Sequence, residues 1–73
     1  MRYILANMLS TGTGVFVVNG YYAGDADPEY ETFFVYDTPK LAYRFIDRAD
    51  AQKKADSINQ YGKWHFIVKE VEE

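Results

Sequence analysis

The chain has 73 residues and no cysteine, sets 8 basic against 11 acidic side chains for a net charge of −3, and is 18% aromatic. That length allows one domain, spanning 1–73, which buries only about 60% of its unfolded surface and has no disulfide or thiolate-held metal to staple it. The charge argues against a general binder of nucleic-acid backbone, and no apolar run approaches the ~20 residues of a membrane span.

In chain order, residues 2–8 read as a first strand. Their start carries one positive charge and an apolar run broken by Asn7, too short for a signal peptide, so a soluble, cytoplasmic protein is expected. Ser10-Thr11-Gly12-Thr13-Gly14 is a polar connection of hairpin length. It has neither the lysine nor the following helix of a phosphate-binding loop. Residues 15–18 alternate as a second strand. Asn19-Gly20 then fits a two-residue hairpin turn, since both positions need positive φ, and 21–23 returns as a third strand.

Residues 24–31 read as a loop around Pro28 that carries Asp25, Asp27, Glu29 and Glu31. Residues 32–36 make a further strand, apolar on both faces. Asp37-Thr38-Pro39 signals a short helical turn with Asp37 as cap. From Asp47 the period changes from two to helical. Asp47 caps, Asp50 stands in a capping-box position, and Ala51, Ala55 and Ile58 form the buried stripe. Lys53, Lys54, Asp56 and Gln60 are expected to face water, Gly62 stops the helix, and 64–71 is the last strand. Together these elements predict an α+β fold: an antiparallel sheet of four to five strands with one main helix packed on one face.

Charge is unevenly distributed. Up to residue 37, Arg2 stands alone against five carboxylates; beyond it, seven basic residues balance six acidic ones. The alternating carboxylates Asp25, Asp27, Glu29 and Glu31, interleaved with Pro28 and Tyr30, suit a surface that imitates a phosphate backbone and enters a basic groove. As a calcium loop the segment fails, because Tyr30 and Tyr36 stand where glycine and a carboxylate are required. Tyr21 and Tyr22 are adjacent, so in a strand they point to opposite faces and one is free to anchor an interface. The expected partner surface is therefore Asp25, Asp27, Glu29, Tyr30, Glu31, Tyr21 and Tyr22.

Catalysis is not expected. His65 is the lone histidine, and neither Ser10 nor Ser57 sits in a nucleophile motif. No cofactor and no metal are called for. Two alternatives stand beside a protein-binding role. One is a direct nucleic-acid-binding module using Lys40, Arg44, Arg48, Lys53, Lys54 and exposed tyrosines. The other is a structural or self-assembling module, and surplus aromatics favour a homodimer in any case.

Leu41-Ala42-Tyr43-Arg44-Phe45, Asp47 with Ala51 and Ala55, and the Val68-Lys69-Glu70-Val71-Glu72-Glu73 ending resemble a plan recurrent among small α+β proteins of bacteriophages and prophages. The likeness spans residues 15–72, with Asn19-Gly20-Tyr21-Tyr22 as its turn, and carries over no functional residue. It implies a phage protein in the host-cell cytoplasm that binds and inhibits a host protein. A nucleic-acid-handling defence complex of the kind met by anti-CRISPR or anti-restriction proteins is the expected target.

Overall fold

A computed structural model describes residues 1–27, 29 and 32–72. The strands are β1 (Arg2–Ser10), β2 (Phe16–Asp27), β3 (Thr32–Tyr36) and β4 (Phe66–Val71), with one α-helix, α1 (Arg48–Asn59), before β4. They form a single antiparallel sheet in the order β3-β2-β1-β4, the α+β architecture expected from the change of period. Of the two strand counts, four is the one observed.

The connection at residues 11–15 closes the first hairpin. Thr11 N donates to Val15 O at 3.0 Å, and Gly12 and Gly14 take positive φ. Asn19-Gly20 does not close a second one. Residues 16–18 and 21–23 belong to the same strand, β2, and the Asn-Gly pair lies inside it. Between the pairs Ala6↔Tyr21 and Met8↔Val18, β1 has one residue and β2 has two. This is a β-bulge, in which glycine supplies the positive φ that the extra residue requires. Gly20 has φ +98°. A Cβ added there would lie 2.5 Å from Cγ1 of Val35 on β3, so the position needs glycine for space as well as for backbone conformation. Asn7, buried opposite the bulge, donates from Nδ2 to Asn19 O at 3.2 Å and accepts at Oδ1 from His65 N at 2.9 Å. One side chain thus repairs the ladder on both flanks of β1.

Beyond Tyr21, which pairs with both Ala6 and Tyr36, β2 leaves β1 and continues along β3. Residues 43–45 take the vacated place. Phe45 and Tyr3 exchange both backbone hydrogen bonds, at 2.8 and 2.9 Å, and Tyr43 N donates to Tyr22 O at 2.9 Å. The short helical turn, Pro39–Leu41, is capped by Thr38 rather than Asp37, its hydroxyl accepting from Lys40 N.

Asp47 caps α1 as expected, accepting from Ala49 N at 2.9 Å. Ala51 and Ala55 are wholly buried and Ile58 nearly so. The two alanines let the helix axis approach the sheet, where it packs against Leu5, Tyr22, Phe45 and Phe66. Asn59, the last residue of α1, holds the start of β4 as a neighbouring strand would. Its Oδ1 accepts from Phe66 N at 2.7 Å and its Nδ2 donates to Phe66 O at 2.9 Å. The last strand therefore starts at Phe66 rather than residue 64. Among the described residues, no buried side-chain nitrogen or oxygen lacks a hydrogen-bond partner.

Candidate functional site

Residues directly opposite in a sheet share a face, and alternate residues along a strand return to it. The register therefore sorts the side chains into two sets. Tyr3, Leu5, Tyr22, Phe33, Val35, Phe66 and Val68 point toward α1 and make or flank the core. The other face is free of the helix. Tyr36, Tyr21, Ala6 and Ile67 form one row across all four strands. Phe34 lies two residues before Tyr36, and their rings stack at 6.4 Å with 13° between planes. Val18 stands opposite Met8 and Phe16 opposite Ser10, with the Phe16 ring 6.3 Å from that of His65.

This second face remains open. Phe16 is 55% exposed, Phe34 49%, Tyr36 44%, Val18 38% and Ile67 37%. Ile4 and Ala6, the central residues of β1 on the same side, are buried. The face thus has a raised aromatic half on β3 and β2 and a lower aliphatic half on β1 and β4. Arg2 and Lys69 lie on the aliphatic half by register, opposite Val71 and Ile4 respectively.

The two tyrosines are divided as their adjacency requires: Tyr22 enters the core and Tyr21 is half-buried on the free face. Tyr22, expected on the partner surface, is thus buried. Its ring packs on Phe33, Tyr43 and Phe45 at 5.9 to 6.0 Å between centroids. Its hydroxyl donates to Asp25 Oδ1 at 2.8 Å, and Lys54 Nζ reaches Asp25 Oδ2 at 3.2 Å while lying 5.8 Å over the Tyr22 ring. Burial, and then the Asp25 carboxylate, push the Tyr22 hydroxyl well above its ordinary range. The Tyr22 hydrogen bond holds the Asp25 carboxyl below its ordinary range against some desolvation, and Lys54 adds to the effect.

Lys54, expected in water, is half-buried in this cluster, which ties β2 to α1. Asp25 is engaged within the chain, and Asp27 Oδ1 accepts from Glu29 N at 3.0 Å. Glu29 is exposed. Tyr30 and Glu31 lie outside the described residues.

Of the five residues of the expected basic cluster, Lys54 and Arg44 are engaged within the chain. Lys54 pairs with Asp25. Arg44 donates from one guanidinium nitrogen to the carbonyls of Pro39 at 2.7 Å and Ala42 at 2.6 Å, bracing the turn. Lys40, Arg48 and Lys53 are exposed on the turn and on α1. Among the described residues no three or more histidines or carboxylates are grouped as metal ligands, and no helix is long and apolar enough to cross a membrane.

The free face was missed as a surface by sequence reasoning, although its signal was present. Residues 32–36 are apolar on both faces, and a strand of that kind in an antiparallel sheet needs a cover on each side. No protein-family model, no curated protein and no solved structure matches this chain.

Proposed function

We propose that this chain is a non-enzymatic protein-binding module whose binding surface is the helix-free face of the sheet. One observation carries the reading: Phe16, Phe34, Tyr36, Val18 and Ile67 are exposed together on one side of a four-stranded sheet. Soluble monomers seldom leave contiguous apolar surface beyond a few hundred Å², and larger patches mark contact sites. Aromatic rings held on strands are suited to the task, because they bury large area and lose little side-chain freedom.

The acidic segment fits the role less well. Asp25 is paired with Lys54 and hydrogen-bonded by the Tyr22 hydroxyl, so it presents less field to a basic groove than the residue pattern implies. The groups with shifted proton affinity, Tyr22 and Asp25, hold β2 to α1 and stand away from the free face. The inhibitor role expected from the phage resemblance is a special case of this reading, since it needs contact with a protein and no chemistry. So is the self-assembling module.

Photo-crosslinking tests it. The chain is prepared with benzoylphenylalanine at position 36 or at position 29 and irradiated in bacterial lysate to which unlabelled chain has been added. Nuclease-resistant protein adducts from position 36, and none from position 29, are expected. Adducts from position 29 alone would return the interface to the acidic segment. Nuclease-sensitive adducts from position 36 would replace the protein partner by single-stranded nucleic acid stacked on the same rings.

A further inference from the structure

Resting on the reading of the free face as a protein interface, we infer that the protein covering it is a second copy of this chain, docked face to face about a two-fold axis parallel to the strands. Area is the first argument. Strands of 9, 12, 5 and 6 residues, at about 3.3 Å per residue and about 4.8 Å apart, give a face on the order of 500 Å². With its rim, that approaches the roughly 800 Å² per partner of a standard stable interface.

Shape is the second argument, and it selects the axis. The face is raised on β3 and β2, where Phe34, Tyr36 and Tyr21 stand, and low on β1 and β4, where Ile4, Ala6 and Ile67 lie. An axis parallel to the strands lays the high half of each copy on the low half of the other. Residues keep their level along the strand and exchange sides. Tyr36 then meets Ile67 of the second copy, and Tyr21 meets Ala6. An axis across the strands would instead set Tyr36 against Tyr36 and leave the low halves apart.

Each copy keeps α1 and the Asp25–Lys54 pair on the outside, so the dimer has two layers of sheet at its centre and a helix on each surface.

The test has two readouts. Sedimentation equilibrium from low to high micromolar concentration should show the mass rising from 8.5 kDa to twice that value. Phe34→Lys and, independently, Val18→Lys should raise the dissociation constant at least tenfold with circular dichroism unchanged, while Arg48→Ala on the helix leaves it as it was. The chain has no cysteine, so labels are clean. Facing sheets lie about 10 Å apart, beyond the reach of a direct disulfide but within that of a short bis-maleimide. A mixture of Tyr36→Cys and Ile67→Cys chains should cross-link, and Tyr36→Cys alone should not.

A dimer indifferent to both lysine variants, or one that cross-links through Tyr36→Cys alone, would overturn the inference. A monomer throughout, with an apolar dye bound to the face and lost in Phe34→Lys, would overturn the second copy while leaving the protein-binding face intact. A monomer with no dye bound and no adducts from position 36 would overturn both.

Discussion

The two faces of the sheet are built from the same kinds of residue and meet different fates. On β3, Phe33 and Val35 pack against the core while Phe34 and Tyr36 stand exposed. Neighbouring phenylalanines thus differ only in parity. On one side a helix lined with alanine closes the layer; on the other nothing in the chain takes that position among the described elements. The difference shows that a strand's apolar content reports how much cover it needs, whereas the supply of cover is a property of the whole chain. The one helix covers one face, and among the described elements none covers the other.

Substitutions on the two faces should separate sharply. Phe66→Ala, in the closed layer, should cost about 3–5 kcal/mol by urea denaturation, because a ring is lost and a cavity remains. If it costs no more than a change at Phe34, the helix-side layer is not the core. Gly20→Val should come next, at about 2–4 kcal/mol, since the new side chain adds steric overlap with Val35 to an unfavourable positive φ. The cause can be checked by pairing it with Val35→Ala. Part of the loss should return if the overlap matters, and none if backbone strain is the whole effect.

Asn59→Ala should cost about 1–3 kcal/mol, because Phe66 N and O, at the start of β4, lose the amide that serves them both. Hydrogen exchange should report faster opening at Phe66 than at Leu5. The Asp25 cluster should have a smaller effect that depends on pH. The native Asp25 carboxyl lies below its ordinary value. Its stabilising contribution is therefore present above about pH 4 and is lost as pH falls through the lowered native value. Half the Asp25 side chain is exposed, so the effect should stay below about 1 kcal/mol. Asp25→Asn should flatten the acid limb of the stability curve, and an unchanged limb would mean that the pair is not maintained in solution. The smallest effect belongs to the free face. With the chain dilute enough to be monomeric, Phe34→Ser should shift the unfolding free energy by less than about 1 kcal/mol.

How far each feature could be read ahead depends on its range along the chain. Asp47 as cap and Ala51, Ala55 and Ile58 as the buried stripe are local, since a helix satisfies its own backbone and shows its buried side at a fixed spacing. The strand at 32–36 and the loop at 10–14 are local in the same sense. Asn19-Gly20 is the instructive contrast. A type I′ turn and a bulge make the same demand on glycine, positive φ, and the dipeptide is compatible with both. The choice was made by pairing partners: residues 16–18 and Tyr21 pair with β1 and residues 21–27 with β3, which keeps β2 continuous. Lys54 was likewise assigned to water by its helical position, and only the arrival of Asp25 from 29 residues away gave it a partner.

The sequence by itself determined an α+β chain with one capped helix, a small antiparallel sheet and more aromatic surface than one helix can cover. Those properties follow from period, caps and composition, which act within a few residues. Tertiary structure alone decided that the Asn-Gly pair would be a bulge, that the expected tyrosine and acidic surface would be split between core, helix contact and free face, and that Phe16, Phe34, Tyr36 and Ile67 would converge on one side. Those outcomes depend on strand order and register, and register is set by contacts between residues distant in the chain.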